Sequence, residues 1–337
     1  MDGRGEAIAK RHPVALYFRF DIKLQRPFKV REWLPTTADD GLKVPMGNKD
    51  ARIFVPPDLC DADDPEAIPH NTIVNAQGIR LLVEWGEPNP TVATAFEQYD
   101  PNPIPEGELA AFLKDLNEAV QLAANRFLAF VRHEMGQWEI EDIAPCSGGT
   151  FFQQASAQWS GDGQTWRRLR GEGTDYVTAF LGITSSLRRR DWERAQRYMV
   201  SDRESDVTRV LAGQGRRLCF EGSFREAVLE AAICIEREAG LLAKSYVARR
   251  NLPAKAVVGK EARTTQLVTV WLPLARPQTD AAQVEAARKV LELRNNILHG
   301  AQRAVGAAAE ADIKATLRLA MELCGEREQG SGDDEAQ

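Results

Sequence analysis

Arg294, Asn295 and His299 stand within six residues near the end of a helical pattern, and their types are those of a metal-independent phosphoryl-transfer centre. An unperturbed imidazole titrates near ~6.5, so it can take and return a proton around neutral pH. A guanidinium keeps its charge and presents a planar fork of donors to phosphoryl oxygens. That pairing suits RNA cleavage, in which a 2′-hydroxyl loses a proton, a 5′-oxygen gains one and charge gathers on the phosphorus oxygens.

Helical spacing says how these groups are held. At about 100° per residue, Ala287, Leu291, Arg294 and Leu298 fall in one stripe, which puts Arg294 on the apolar side of its helix. A guanidinium there needs a buried acceptor, a water-filled cleft or an anionic ligand. A polar stripe of Glu292, Asn295, Asn296 and His299 runs beside it, and Asn295 and His299, four apart, can touch. His299 lies about 140° round from Arg294, so one straight helix does not bring both to a substrate; a second copy across a twofold axis would. Two ordinary roles stay open as well. Arg294 can pair internally with Glu236 or Glu230, and His299 can be a helix C-terminal residue favoured by the helix dipole.

The last third of the chain reads as a bundle that would position these residues. A helix over about 206–219 is followed by Ser223-Phe224-Arg225-Glu226, a capping-box pattern that opens a helix to about Ala248. A third helix starts near Asp280 and stops at Gly300, a residue that enters the left-handed region without steric cost. A fourth covers about 308–323. The connection 249–279 is far longer than the ~2–8 residues usual between bundle helices. It carries the apolar piece Leu267–Leu274 and, with Arg249, Arg250, Lys255 and Lys260, a set of cations suited to RNA backbone.

The segment Glu292-Leu293-Arg294-Asn295-Asn296-Ile297-Leu298-His299-Gly300 is similar to the R-x4–6-H motif of the HEPN superfamily, in which a polar residue, commonly Asn, often follows the Arg. The upstream helix, with Phe224–Val228 and Ala231-Ala232-Ile233-Cys234-Ile235-Glu236, resembles the second helix of the same bundle. The resemblance covers about residues 203–325. It implies an all-α bundle of four to five helices that forms a homodimer, with two motifs meeting at the dimer cleft. It further implies a metal-independent endoribonuclease of toxin–antitoxin or anti-phage type, with RNA as substrate and an antitoxin or phage-derived protein as partner. Other relatives of this kind are non-catalytic binding or dimerisation modules. Carried onto this chain, His299 is general acid/base, Arg294 holds the scissile phosphate and Asn295 orients one of them. No cofactor and no metal are expected.

Residues 1–200 read as a mixed α/β domain. Leu16, Phe18, Phe20, Ile22 and Leu24 alternate with Tyr17, Arg19, Asp21 and Lys23, the period of a half-buried strand. Arg52–Val55 and Ile79–Trp85 are further strands. Leu109 to Val131 recur at helical steps for about six turns. Trp138–Ile143 and Phe151–Trp159 return to strand, with Gly161-Asp162-Gly163 as a hairpin turn before Trp166. The polar break Ser201–Asp206 sets the boundary. The expected organisation is therefore an α+β domain at 1–200, an all-α bundle at 201–325 and a disordered acidic tail at 326–337.

Composition narrows the classes. The 337 residues carry a net charge of −6, whereas a general nucleic-acid coating protein is usually far more basic. Residues 201–324 carry 19 Lys/Arg against 15 Asp/Glu, a balance compatible with phosphate contacts. Apolar runs stay short of the ~18 residues of a membrane span, and the opening residues lack a secretory pattern, so no membrane partner and a cytoplasmic location are expected. Cys60, Cys146, Cys219, Cys234 and Cys324 are odd in number and lack metal-ligand spacing, which points to buried thiols. Gly213-x-Gly215 and Gly171-x-Gly173 lack the strand and helix context of a nucleotide loop. Trp166-Arg167-Arg168 and Arg188-Arg189-Arg190 read first as solvated helix faces, with RNA backbone as the alternative. His133 reads as a capping or surface residue.

Overall fold

A computed structural model describes residues 15–31, 39–46, 49–60, 73–99, 106–144, 155–170, 186–201, 204–252, 264–301 and 304–334, with side chains to residue 328. The chain divides into two compact units, 1–203 and 204–337.

The first unit is built on the alternation in its longest strand. Strand β1 (Ala15–Val30) buries Leu16, Phe18, Phe20, Ile22 and Leu24 on one face and turns Tyr17, Arg19, Asp21 and Lys23 to the other. With β2 (Leu42–Met46), β3 (Lys49–Phe54), β4 (Val74–Gly86), β5 (Ala155–Ser160) and β6 (Arg167–Arg170) it forms an antiparallel sheet of order β2-β3-β4-β1-β5-β6. The β1–β4 register shifts between Lys23 and Phe28. Gly78 sits beside this bulge, where a Cβ would lie 2.6 Å from the Ile22 carbonyl oxygen, so a side chain is sterically excluded there.

Helices α1 (Pro90–Glu97) and α2 (Gly107–Ala129) cover the apolar face. Phe96 meets Phe18 edge-on at 5.5 Å between ring centroids, and Phe127 meets Phe28 at 5.9 Å. Helix α3 (Arg189–Val200) packs Trp192 against Phe127. Arg189 and Arg190 do sit on an exposed helical start, whereas Trp166, Arg167 and Arg168 belong to a hairpin, not to a helix. Two glutamines complete the backbone bonding of the sheet. The Gln137 amide accepts from Lys29 N (2.7 Å) and donates to Lys29 O (3.0 Å); Gln196 of α3 does the same at Lys43 of β2.

Trp138–Ile143 is not a strand. Its carbonyls are taken by side chains instead: Arg132 Nε donates to Ile140 O (2.6 Å), and Gln121 and Asn125 donate to Ile143 O. Helix α2 runs into a π turn, Phe130–Glu134, that carries His133. Burial, reinforced by the Arg132 charge and opposed by Asp142, pushes His133 down to about 4, and its Nδ1 makes no hydrogen bond among the described residues. It is thus a half-buried neutral imidazole, not a cap. A histidine whose folded pKa is depressed contributes stability that is present above ~6.5 and is lost as pH falls through about 4. Urea midpoints followed by tryptophan fluorescence should drop over that window, six of seven tryptophans being in this unit, and His133→Gln should flatten the drop. An unchanged pH slope in the variant would refute the assignment.

The second unit is helical: α4 (Val207–Phe220), α5 (Phe224–Arg249), α6 (Ala281–Leu298) and α7 (Glu310–Asp334), with short helical turns over 264–275. Its core joins Val228, Ala231, Ile235, Leu272, Val290, Leu291, Ile313 and Leu317. The expected capping box at Ser223 is absent, because Ser223 already serves α4: its N–H donates to Leu218 O (2.8 Å) beside Gly222 at φ +78°. That is a Schellman stop, and it folds α4 tightly onto α5. Gly215 faces Leu317, where a Cβ would lie 3.1 Å from Cδ1, so this glycine is a helix-packing position. Helix α7 continues to Asp334 where a disordered tail was expected from 326, and no described helix is long and apolar enough to cross a membrane.

Candidate active site

Helix α6 is capped by Asp280, which accepts from Ala282 N (2.9 Å), and stops at Gly300 with φ +71°. Its buried side is Ala286, Ala287, Val290, Leu291 and Ile297. Arg294 lies at the edge of that side and is half-buried, as the apolar stripe required. Leu298 departs from the stripe: it is 63% exposed, because the buried face runs through Ile297 and Leu298 is one step of about 100° further round.

The guanidinium of Arg294 forms an ion pair with Glu236 of α5, and its Nη1 donates to Asn295 Oδ1 (2.9 Å). Both charged groups are about four-fifths covered, with side-chain exposures of 19% and 24%. Glu230, the other open partner, points elsewhere; burial raises its pKa and its Oε2 has no partner among the described residues. Asn295 is thereby engaged with Arg294 and not with His299. His299 occupies the C-cap, with its N–H on Asn295 O (2.9 Å), and its side chain is exposed at the helix end. Ile233, one turn before Glu236 on α5, is also exposed, at 48%. The result is a paired Arg–Glu–Asn group at the edge of the bundle, with an open imidazole and exposed apolar Leu298 at one helix end.

Arg249 and Arg250 do not join this group. Arg249 ends α5, thirteen positions after Glu236, which is about 20 Å along a helix axis. It lines a different cleft of about 530 Å³ with Glu238, Ser245, Arg276, Gln278 and Arg327. Arg250 stacks its guanidinium on Tyr246 at 5.6 Å. Lys255 and Lys260 lie outside the described residues.

A second cluster was not apparent from the sequence. Glu238, 2% exposed on the apolar side of α5, accepts from Thr208 Oγ1 (2.6 Å), Arg237 Nη1 (2.5 Å) and Arg327 Nε (3.1 Å). Asp206, the N-cap of α4, accepts from the same two arginines. Burial alone would raise Asp206, but the Arg327 hydrogen bond, the Thr208 N–H and the Arg237 charge hold it near about 2. With Cys324 these carboxylates have the spacing of a cation site. Two guanidiniums already occupy that space and balance the two carboxylates, and burial pushes the Cys324 thiol up to about 12, so the cluster is an internal ion-pair network. The signal in the sequence was Glu238 itself, a carboxylate three after Ile235 on a buried stripe. Cys219 and Cys234 are buried thiols pushed up to about 11 and about 12. No protein-family model matches this chain, and neither a curated protein nor a solved structure shows significant similarity to it.

Proposed function

We propose that the helical unit is a HEPN-type, metal-independent endoribonuclease that works as a homodimer, in the manner of toxin or anti-phage effectors, with the N-terminal unit selecting substrate or sensing a trigger. The observation that carries this reading is the pairing of a preset guanidinium with an exposed imidazole. Glu236 fixes the Arg294 fork at the bundle edge, and His299 is left open at the end of the same helix. Exposed Leu298 and Ile233 supply apolar surface for a second copy. In such a dimer His299 shuttles the proton between the 2′-hydroxyl and the leaving 5′-oxygen, and Arg294 meets the charge on the phosphoryl oxygens. Asn295 steadies the guanidinium through Nη1.

A second reading, a non-catalytic HEPN-like dimerisation module, is favoured by the same ion pair, which satisfies Arg294 without any ligand. The two readings separate on the substitutions of the pair. For the nuclease, the wild-type chain cuts single-stranded RNA in EDTA, and Arg294→Lys lowers the rate by about 100-fold or more with little loss of stability, because Lys keeps the charge but loses the fork. For the module, RNA stays intact in every variant, and Arg294→Ala weakens the dimer measured by sedimentation.

A further inference from the structure

The sheet of the first unit has a second face, and its register aligns a row of residues straight across it. Arg52 of β3 pairs with Leu82 of β4, Leu82 with Arg19 of β1, Arg19 with Gln158 of β5 and Gln158 with Arg168 of β6. Directly opposed residues point to the same face, so the row places three guanidiniums on every second strand over about 19 Å. Arg168 is exposed, and the other four side chains are half-buried. Trp166 stands on the same face, with the Arg19 guanidinium 5.3 Å from its ring centroid.

We infer that this row is a binding track for single-stranded RNA. Arg52 Nη1 also donates to Asp39 O at 2.7 Å, and acidic residues flank the row on both sides. On one side Asp21 and Asp58 are both tied to Arg80. On the other, Glu84 receives the Tyr17 hydroxyl at 3.4 Å, and Asp50 pairs across from Glu84 in the neighbouring row. A polyanion laid on the sheet is drawn to the row of cations and repelled from the Asp50–Glu84 bank. Trp166 and the planar Arg side chains offer faces on which bases stack without sequence preference. A protein occupant would need apolar anchors, and the row offers only Leu82.

This inference stands apart from the proposed cleavage chemistry, since it uses none of the residues of the helical unit. It is tested with the full-length chain and a short fluorescein-labelled single-stranded RNA of mixed sequence carrying 2′-O-methyl riboses, which removes the 2′-hydroxyl nucleophile. Fluorescence anisotropy across a salt series should show the triple variant R19Q/R52Q/R168Q binding at least about tenfold more weakly. Its log–log salt slope should fall by about 2, at ~0.7 per lost phosphate contact. Arg168→Glu alone, on an exposed edge-strand position, should weaken binding several-fold and serves if the triple variant fails to fold. Trp166→Ala should weaken binding without changing the slope. Parental affinity and slope in Arg168→Glu and in a folded triple variant would overturn the track, as would equal binding of duplex RNA or full displacement by an acidic peptide. Loss of cleavage in a separate assay leaves this result untouched, and the converse also holds.

Discussion

His299→Ala is expected to lower RNA cleavage by about 100-fold to 10,000-fold while leaving the thermal midpoint of the protein where it was. The two halves of that expectation have separate grounds. General acid–base transfer by a positioned imidazole accounts for rate factors of this size, and the carboxylate beside Arg294, Glu236, is already engaged by the guanidinium. The indifference of the fold follows from position. His299 caps α6 through its backbone N–H, and its side chain is exposed beyond the last turn. An exposed C-cap side chain without a packed partner changes stability by about 0.5 kcal/mol or less. Measured initial rates on single-stranded RNA in EDTA, set beside melting curves, decide it. Cleavage at the wild-type rate by the His299→Ala protein removes the nuclease reading, and so does a rate loss matched by unfolding.

Glu238→Ala should destabilise the helical unit by about 3 kcal/mol. Removing one member of a buried ion pair typically costs ~3–5 kcal/mol, because the remaining charge is left uncompensated. Arg237 and Arg327 are each about a third exposed, with side-chain values of 33% and 34%, so water recovers part of their loss and places the effect at the low end. Glu238→Gln keeps the shape and two hydrogen-bonding positions but leaves two guanidiniums facing Asp206 alone, and should fall between wild type and Ala. Amide hydrogen exchange over α4, α5 and the end of α7 reads the change in the elements that meet at this cluster. Unaltered protection in all three would show that the network contributes nothing measurable.

Much of the fold could be read from local pattern. The alternation from Leu16 to Leu24 declared β1 and its buried face, and the helical steps from Leu109 to Val131 declared α2, since each reports a periodicity contained within its own segment. Trp138–Ile143 misled because its apolar residues are buried without a neighbouring strand, the carbonyls being met by Arg132, Gln121 and Asn125. The end of α7 misled for a related reason. Its composition is polar and glycine-bearing, yet Arg276–Glu326, Arg209–Glu328 and Arg327–Asp206 hold it from other helices. Both segments have carbonyls or charges met by side chains outside their own pattern, whereas the capping pattern at Ser223 was lost to a local bond with Leu218 O.

The site divides in the same way. That Arg294 needs an acceptor follows from its place on an apolar stripe, but choosing Glu236 over Glu230 requires the rotation of α5 about its axis, which packing decides. The separation of Arg249 from the Arg294–Glu236 pair is likewise a matter of helix length, since α5 runs on for thirteen residues beyond Glu236. The cross-strand row in the sheet was invisible in sequence because its five members come from five strands and only the register aligns them.

Gln196 gives the sheet of the first unit a direction of growth. Strand β2 is an outer strand, and at Lys43 both outward backbone groups are consumed by that one side-chain amide. An incoming strand would have to displace α3 from Lys43 before it could pair there. Among the described residues the opposite margin, β6, carries no such plug, and its Arg167 and Arg168 set like charge against a second copy of this chain approaching edge to edge. Gln196→Ala should therefore open the β2 margin at Lys43 to an incoming strand, read as faster aggregation with thioflavin fluorescence than the parent chain shows; an unchanged aggregation rate would show that Gln196 guards nothing.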